Sequence, residues 1–574
     1  MFKKELLKSR RWFIPLFLFS ILIFSNLKAQ QGPIQTDVPA LKDIFVNDFN
    51  IGCLLSYAHI GFSDDPYVPG QSSVVDPDGG YLIKYHMNSM SPGNWMKSTY
   101  IVDINGSANA YNAAATQEDK DSIDVHPIVT FNGNITAQLN WAKRQGFTFR
   151  GHTLIWHNQN PGTAFFRTGY STQGERLTKE KMTQRMENFI KEVIRIIHEG
   201  WPGLLSAMDV VNEAVNDNGT DRSSNNEYYT TFGDISYVMK AFEFARKYTE
   251  LYGETQIKLY YNDYNTHIAS KADGIVRICQ PIYEAGYLDG IGMQDHDQYN
   301  SPSAQQWIAS YNKFAAISSE ISVTELDVKP SSNTLTTPVL TSQANQYAML
   351  FKCFLDRSYK SGRGKLISVS KDGLNDEWAF VDNASLWDAE NQCKPAFYEV
   401  VELAENYYDL DSLLAETDTL TQNNYSTDSW MAFETALESA QQAMASNYSY
   451  QVSAADALGE ARDSLISAIE KLEVNVTSVY NNSEIYPEKF SLSQNYPNPF
   501  NPLTIIEFSL PENSLVQLQV YDISGKLVSE LINDRLNAGI HSVIFNGAGL
   551  TSGIYFYSIT AGDFVSVKKL MLLK

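Results

Sequence analysis

Along the first two thirds of the chain, short apolar runs that become polar at their C-terminal ends alternate with amphipathic helices. Apolar residues recur three and four positions apart in MTQRMENFIKEVIRII, residues 182–197, and in QANQYAMLFKCFL, residues 343–355, which predicts helices. The segments with a strand pattern are IGCLLSYAH, YHMNSMSPGN, FTFRGHTLIWH, MDVVNEAV, IKLYYNDYN, GIGMQDHD, ISVTELDV and KLISVSKDG. Because strands that alternate with helices form parallel sheets, this order predicts an α/β fold.

The number of these strand–helix units indicates how the sheet is arranged. Eight units within residues 38–405 fit a closed (β/α)₈ TIM barrel, and an open doubly wound sheet is the alternative. In such a barrel the active site lies at the carboxyl ends of the strands. We therefore expect the polar ends of these segments to meet in one cleft.

Two further regions follow the predicted barrel. Residues 406–475 carry only helical patterns and predict a small three-helix bundle, whose aromatic stripe with Trp430 and Phe433 is more typical of a core than of a ligand site. A polar linker is expected at residues 476–489. Residues 490–574 alternate in short strands such as TIIEFSL and GIYFYSIT, between Gly, Pro and Asn turns, and predict a β-sandwich.

The N-terminus has the pattern of a secretory signal peptide. Several Lys and Arg residues precede the apolar run at residues 12–24, and the small residue Ala29 follows. This run is shorter than the roughly 20 residues that a membrane-spanning helix needs, so a membrane anchor is the weaker alternative. We expect residues 1–29 to be removed on export and no membrane span to remain.

Charge and cysteine content limit the possible partners. The net charge of −22 disfavours nucleic acid and anionic membranes as partners, because both require Lys and Arg. The charge fits an exported protein with an uncharged ligand. Cys53, Cys279, Cys353 and Cys393 allow three disulfide pairings, and buried free thiols are an equal alternative.

Two glutamates stand where apolar strands end. Glu213 follows MDVVN, and Glu325 follows the β-branched segment ISVT, about three strand–helix units later. Two carboxylates across one cleft suit glycoside hydrolysis, in which one donates a proton to the leaving oxygen and the other attacks the anomeric carbon or activates water. We therefore predict a glycoside hydrolase with these two residues as its catalytic pair.

Neighbouring polar residues agree with this prediction. Asn212 precedes Glu213 and suits a hydrogen bond to a sugar 2-hydroxyl group. His296 is expected to hold Glu325 ionised and oriented, and Asp327, on the same strand face as Glu325, completes this network. Taken singly, each is more typical of a hydrogen-bonded polar residue at a strand end, and it is the agreement of several strand-end clusters that favours an active site.

The segment RGHTLIWH adds His152, Trp156 and His157. Indole and imidazole rings suit sugars, because aromatic faces stack on C–H faces while polar groups bind hydroxyls. A metal held by His152, His157 and His296 is the alternative, which the absence of HExxH spacing disfavours. We expect no metal and no cofactor.

In combination, these motifs resemble glycoside hydrolase family 10, whose main activity is endo-β-1,4-xylanase. VPALKDIF is similar to the opening helix of the family, KPAFYEV to its closing helix, and RGHTLIWHNQ, DVVNEAV, YNDYN, GIGMQDH and VTELDV to the motifs of its third to seventh strands. The resemblance implies a retaining mechanism on xylan, with Glu213 as acid/base and Glu325 as nucleophile. The residues expected to bind substrate or support the site are His152, Trp156, Asn212, Gln294, His296, Asp327, Asn94, Lys97 and Trp378.

The chain departs from the family pattern at two places. Gly93 stands where the family usually has a glutamate that holds the next sugar on the non-reducing side. The usual tryptophan of the eighth strand is absent, with Ser370 or Asp372 at that position and Trp378 as the loop aromatic. We therefore expect hydrolysis with weaker non-reducing-side binding. The alternatives are decorated xylan or another β-linked glycan as substrate, and a glycan-binding surface protein with little catalysis.

The last two regions have resemblances of their own. YSTDSWMAFETALESAQQAM is similar to FIVAR-type three-helix repeats. LSQNYPNPFNPLTIIEFSLP and SGIYFYSIT resemble a type IX secretion sorting domain, which implies export through the periplasm, a secreted or cell-surface location and the secretion machinery as partner. A carbohydrate-binding sandwich is the alternative.

Overall fold

The computed structural model describes residues 34–60, 77–473, 487–547 and 549–573. They belong to two units, Met1–Asn475 and Val476–Lys574. The predicted signal peptide at residues 1–29 and residues 476–486 of the predicted linker lie outside the described residues.

The first unit is built on a closed parallel barrel of eight strands. Its strands, with two short additions, are β1 (Asn50–Leu55), β2 (Ser89–Pro92), β3 (Thr148–Gly151), β4 (Ile155–Trp156), β5 (Leu205–Asn212), β6 (Lys258–Asp263), β7 (Gly290–Met293), β8 (His296–Gln298), β9 (Glu320–Lys329) and β10 (Leu366–Lys371). Strand β10 pairs with both β9 and β1, which closes the sheet, while β4 and β8 extend beside β5 and β9. The barrel prediction is confirmed and the open doubly wound sheet is excluded.

Helices connect successive barrel strands. They are Leu41–Ile44, Tyr57–Ile60, Pro77–His86, Ser98–Ile101, Ile104–Ala113, Gln117–Val125, Gly133–Gln145, Lys179–Gly200, Glu227–Phe232, Tyr237–Leu251, Ala269–Glu284, Ala304–Ala315 and Thr337–Leu355, with 3₁₀ turns at Thr163–Phe166 and Thr168–Tyr170. The helix Lys179–Gly200 begins after Thr178, whose hydroxyl accepts from the Lys181 amide at 3.3 Å. Its buried face carries the apolar stripe seen in the sequence, so the helix covers the barrel.

Three helices follow the last strand of the barrel. They are Pro395–Thr417, Thr427–Ala445 and Ala454–Glu470, with a 3₁₀ turn at Gln422–Asn424. The first crosses residue 405, so the domain boundary placed there falls inside one continuous helix. Trp430 and Phe433 are buried in the core, and Lys352 Nζ donates to the Met444 carbonyl at 2.6 Å, which ties these helices to the helix Thr337–Leu355.

The second unit consists of two antiparallel sheets. Its strands are β11 (Ser491–Leu492), β12 (Leu503–Leu510), β13 (Ser514–Asp522), β14 (Leu527–Leu536), β15 (Gly539–Asn546), β16 (Gly553–Ala561) and β17 (Phe564–Leu572). They are ordered β11-β12-β15 and β14-β13-β16-β17, and their inward residues form one core. The β-sandwich prediction is confirmed. Strand β14 was not predicted, since it is an edge strand whose residues are all exposed or only partly buried and give weak alternation.

The four cysteines are free thiols. Cys53, Cys279 and Cys353 are buried and Cys393 is partly exposed. Burial raises the pKa of the Cys53 and Cys353 thiols to about 12, so these thiols stay protonated and pack as small apolar groups. Of the two sequence alternatives, the structure has thiols and not disulfides.

Candidate active site

The polar ends of the barrel strands surround a cleft of about 900 Å³. The predicted site residues that line it are Asn94, Lys97, His152, Trp156, Glu213, Gln294, His296, Glu325 and Trp378. Asn212 and Asp327 are almost fully buried and hydrogen-bond to residues that line the cleft. The structure therefore brings all of the predicted site residues to one place.

Glu213 lies where the chain turns out of β5. Its φ of 57° is unusual for a residue other than glycine, and its backbone amide donates to the Asn262 carbonyl at 2.9 Å. Two side-chain amides donate to its Oε1, from Asn212 Nδ2 at 3.1 Å and from Gln294 Nε2 at 3.2 Å. One carboxylate oxygen is thus fixed while the group faces the cleft.

The surroundings of Glu213 favour its protonated form. Burial raises the pKa of Glu213, and the negative charges of Asp263 and Glu325 raise it further against the opposing hydrogen bond from Gln294. A carboxyl group with a raised pKa retains a proton that it can donate.

Glu325 lies in the middle of β9, and its side chain reaches the same cleft as Glu213. Its backbone amide donates to the Gln294 carbonyl at 3.0 Å, and its Oε1 accepts from Asn262 Nδ2 at 2.8 Å. Asn262 Nδ2 also donates to Asn212 Oδ1 at 3.0 Å. A chain of hydrogen bonds through Asn212 and Asn262 therefore connects Glu213 with Glu325.

Asn262 was not predicted as a site residue, although it lies in the YNDYN motif. It is the next-to-last residue of β6 and is in register with Asn212 on β5. An amide at a strand end, level with a polar residue of the neighbouring strand, is the signal that would have revealed it.

His296 connects Glu325 with a second carboxylate. Its Nε2 lies 3.4 Å from Glu325 Oε2, and its Nδ1 lies 3.1 Å from Asp327 Oδ2. Burial alone would lower the pKa of His296, but the bonds to Asp327 and Glu325 raise it well above its ordinary value. The imidazole is therefore a protonated donor to both carboxylates.

Glu325 is held in the charged form. Burial would raise the pKa of Glu325, but the hydrogen bond from His296 and the positive charges of His296 and Arg150 help to lower it well below its usual range. Glu213 and Glu325 thus have pKa values displaced in opposite directions, which is the arrangement expected of one acid and one nucleophile.

His152 is fixed by buried charges that the sequence analysis missed. Its Nδ1 lies 2.8 Å from Asp209 Oδ2, Arg150 pairs with the same carboxylate, and Arg150 Nη2 donates to the Thr324 carbonyl at 3.1 Å. Asp209 lies inside the apolar strand segment AMDVV, and a charge in such a run is the signal that was available.

Lys97 lines the cleft together with Asn94, Trp156 and Gln159. Its Nζ donates to Asn94 Oδ1 and Gln159 Oε1, both at 2.8 Å, and lies 4.8 Å from the ring centroid of Trp156. Burial lowers the pKa of Lys97, while the negative charge of Glu325 opposes this effect. Amide, ammonium and indole groups together give a surface that suits sugar hydroxyls and C–H faces.

The loop after β10 forms the remaining wall. Asp372 lines the cleft at the position left open between Ser370 and Asp372 in the sequence. Trp378 packs edge-on against His59 at 5.2 Å, and Phe380 is 85% exposed with its ring 6.3 Å from that of His296. Phe380 was not predicted, because an aromatic residue in a loop is part of no periodic pattern.

The geometry does not support the three-histidine metal site. Within the described part of the chain, the residues with metal-ligand spacing are His296, Asp327 and Asp372, whose ligand atoms lie within 4.8 Å of one another. The group includes neither His152 nor His157. Because His296 is protonated, the cluster is an ion-pair network around one imidazolium.

Comparisons with known families identify both units. Residues 67–403 match the model of glycosyl hydrolase family 10, and residues 494–573 match the secretion system C-terminal sorting domain. The second match indicates export. No helix within the described ranges has the length and apolar character needed to cross a membrane.

Known proteins with sequences similar to this chain include endo-1,4-beta-xylanases. The chain is 31% identical over 410 residues to endo-1,4-beta-xylanase Y of Acetivibrio thermocellus, covering 67% of this chain and 34% of that protein. It is 31% identical over 319 residues to a putative endo-1,4-beta-xylanase of Caldicellulosiruptor saccharolyticus, covering 54% of this chain and 96% of that one. The chain thus spans about a third of the first relative and nearly all of the second.

Among solved structures, the barrel is similar to xylanase 10B of Clostridium thermocellum, a CBM22-1–GH10 protein complexed with xylohexaose. The TM-score is 0.53 at 29% identity, over 63% of this chain and 67% of that one. With the family match spanning more than half of its residues, the chain belongs to glycosyl hydrolase family 10.

Proposed function

We propose that this protein is an exported retaining endo-β-1,4-xylanase that hydrolyses internal β-1,4-xylosidic bonds of xylan. The observation that carries the proposal is the pair of glutamates in one cleft, with the pKa of Glu213 raised and that of Glu325 lowered. Relatives and a solved structure that bear the name xylanase support the choice of substrate.

In the first step, the Glu325 carboxylate attacks the anomeric carbon. The glycosidic bond breaks as Glu213 gives its proton to the leaving oxygen, and a covalent glycosyl-enzyme forms. In the second step, ionised Glu213 takes a proton from water, the resulting hydroxide adds to the anomeric carbon, and Glu325 leaves as a carboxylate. The configuration at the anomeric carbon is therefore retained.

The other cleft residues bind and orient the sugars. His152, Gln294 and Asn212 surround the cleavage point, and Trp156 supplies an aromatic wall beside it. Asn94 and Lys97 bind the sugar on the non-reducing side, while Trp378 contacts it from the loop after β10. His296 and Asp327 keep Glu325 charged and correctly turned. No cofactor is needed for these steps.

A decorated xylan or another β-linked glycan is the second candidate substrate. It is favoured by a polar group, Asp372, in the wall beside His296 and by Gly93, which leaves the neighbouring position without a side chain. Product profiles from linear xylan, arabinoxylan, glucuronoxylan and mixed-linkage glucan separate the two candidates. A strong preference for plain linear xylan would exclude the second.

Reducing-end release by the full chain tests the catalytic assignment. We expect Glu213→Gln to lower kcat/KM by about 10²- to 10⁴-fold and Glu325→Gln by on the order of 10⁴-fold or more. Glu320→Gln is the matched control, because Glu320 is the first residue of the strand that carries Glu325, does not line the cleft and accepts from the Tyr260 hydroxyl.

The outcomes distinguish the remaining readings. Wild-type rates from both glutamate variants would contradict the assignment, and a wild-type chain that binds glycans without releasing reducing ends would indicate a binding protein. The anomer formed first, read by NMR, tests retention: a β product is expected, and an α product would exclude the covalent mechanism.

For export, we propose that residues 1–29 act as a signal peptide and that the C-terminal unit directs the chain to type IX secretion machinery, for release or surface attachment. Deleting residues 490–574 should leave active enzyme inside the cell envelope and remove it from the cell surface and medium. Unchanged export of the shortened chain would refute this role for the C-terminal unit.

A further inference from the structure

A buried ion pair lies behind Glu213. Lys271 Nζ is 2.9 Å from Asp263 Oδ1 and 3.0 Å from Asp217 Oδ1. Asp263 and Lys271 are both 0% exposed, whereas Asp217 is partly exposed. Replacing such a pair by apolar residues is often neutral or stabilising, so fold stability alone is a weak explanation for it.

A short chain of hydrogen bonds connects this pair to the backbone of Glu213. The Tyr261 hydroxyl donates to Asp263 Oδ2 at 2.6 Å and accepts from the Ala214 amide at 2.9 Å. Ala214 directly follows Glu213, whose φ of 57° requires the surrounding structure to hold it. Asp263 therefore supports the turn from which the Glu213 carboxyl group reaches the cleft.

We propose that Asp263, paired with Lys271 and linked by Tyr261 to the backbone after Glu213, is a positioning residue that holds Glu213 in its turn and keeps the Glu213 carboxyl group protonated before cleavage. The inference rests on the acid role of Glu213 in the proposed function. It adds to that function a residue that does not line the cleft.

The charges around Glu213 agree with this assignment. After burial, the negative charge of Asp263 is the largest cause that raises the pKa of Glu213, ahead of Glu325 on the opposite strand. The cations that face Glu213 are Arg222, whose Nε donates to the Glu213 carbonyl at 2.8 Å, and Lys97 on the far wall. The pKa of Glu213 is raised despite both cations.

The groups around Asp263 itself explain why it serves this role. Burial raises the pKa of Asp263, and Lys271, the Tyr261 hydroxyl and Arg222 oppose that rise. Cys279 and Tyr237 also face it, and the pKa of each is raised by burial, so both are neutral in the working range. The pKa of Asp263 stays above its ordinary value, and it is the 2.9 Å ion pair with Lys271 that favours the carboxylate form whose charge acts on Glu213.

The test is the pH dependence of kcat/KM on xylan for the full-length Asp263→Asn variant. Asparagine keeps the shape and an acceptor for Tyr261 but removes the charge. The pKa of Glu213 should fall, so the alkaline limb should move to lower pH by on the order of one unit. Asp217→Asn is the matched control: it removes the exposed partner of Lys271, leaves Asp263 charged and should leave the limb near its wild-type position.

An aryl β-xyloside with a good leaving group separates acid catalysis from general damage. Its cleavage needs little proton donation, so Asp263→Asn should lower kcat/KM less on this substrate than on xylan. Equal losses on both substrates, with the alkaline limb unmoved, would overturn the proposal and leave Asp263 a structural residue.

A second variant tests the proposal if Asp263→Asn does not fold stably. If Asp263→Asn is unstable because Lys271 is left unpaired, the double variant Asp263→Asn/Lys271→Met removes both charges. The same acidward movement is expected, and an unmoved limb in this variant would overturn the proposal. Failure of the proposed function is distinguishable, because Glu213→Gln would then keep the wild-type alkaline limb.

Discussion

His296 lines the cleft and pairs with the buried Asp327, with His296 Nδ1 3.1 Å from Asp327 Oδ2 and Asp327 only 1% exposed. This contact turns the other imidazole nitrogen toward Glu325, whose Oε2 lies 3.4 Å away. A protonated imidazole between two carboxylates stabilises both in the charged form. The charged state of Glu325, which it needs to attack, therefore depends on Asp327, a buried residue that does not line the cleft.

Replacing His296 with Asn tests this dependence. The hydrogen bond and charge of His296 lower the pKa of Glu325, so their loss raises that pKa. Because Glu325 must be ionised to attack, the acid limb of kcat/KM should move to higher pH, with a loss of about 10- to 100-fold at the optimum.

His157→Asn is the control for this measurement. Burial lowers the pKa of His157 to about 4, so its ring is neutral above that pH and adds no charge to the site. Its replacement should leave the acid limb unmoved. An acid limb of His296→Asn that coincides with that of the wild type would show that the network does not set the charge of Glu325.

Replacing Asn262 with Ala should remove hydrogen bonds that help to hold both Glu213 and Glu325 in position. Asn262 Nδ2 donates to Asn212 Oδ1 and Glu325 Oε1, and a buried acceptor that loses its donor costs about 1–3 kcal/mol. We expect kcat/KM to fall by about 10- to 100-fold and the thermal midpoint to fall by a few degrees. Measured kinetics and melting curves that match the wild type would contradict this role.

The fold was predictable where the spacing of apolar residues indicates a strand or a helix and polar residues mark where the strand ends. Most of the predicted barrel strands become polar near their C-terminal ends, and the barrel places those ends together, so Glu213 and Glu325 could be paired from the sequence alone. Strand β14 was not predicted because an edge strand whose residues are all exposed or only partly buried carries little alternation. The domain boundary predicted at residue 405 lies within the helix Pro395–Thr417, because the apolar pattern of a continuous helix does not show where one module ends and the next begins.

The supporting residues were harder to predict than the catalytic pair. Asp209 contacts His152 across neighbouring strands, whereas Asp263 contacts Tyr261 on its own strand and Lys271 on the helix that follows. The first contact depends on strand register and the others on how the helix packs, and the hydrophobic pattern defines neither to the residue. Residues that face the cleft have a chemical reason visible in the sequence, whereas those behind it are identified only by their partners.

Asp372 should make substrate binding sensitive to pH near neutrality. Burial raises the pKa of Asp372 to about 7, with Glu325 and Asp327 adding to the rise and His296 opposing it. Below that pH the carboxyl group has an O–H donor for a sugar hydroxyl, and above it the donor is lost. We expect KM to rise several-fold between about pH 6 and 8 in the wild type, and this rise to disappear in Asp372→Asn.

Glu377→Gln is the matched control for Asp372, because Glu377 lies exposed on the same loop and is not among the residues that line the cleft. It should keep the wild-type pH dependence of KM. Initial rates over a substrate series at each pH give the measurement. A rise in KM that persists in Asp372→Asn would assign the titration to another group.

Gly93 gives a gain-of-binding prediction. A Cβ atom placed there would meet only the Leu55 carbonyl at 3.4 Å, which is an ordinary contact, so a side chain fits beside Asn94 in the cleft wall. Gly93→Glu restores the carboxylate that the family usually has at this position. A hydrogen bond from a sugar hydroxyl to a charged group contributes about 1.5–3 kcal/mol, so KM for linear xylan should fall by about 10-fold or more with kcat nearly unchanged.

Gly93→Ala and Gly93→Gln separate the causes of that change. Alanine tests space alone and should leave KM unchanged, whereas glutamine adds a neutral acceptor and should give a smaller fall than glutamate. If Gly93→Glu instead raises KM on linear xylan, the added side chain occupies space that the natural substrate fills. Binding on the non-reducing side would then be adapted to a substituted glycan, because only a bulkier chain makes use of the room beside Asn94.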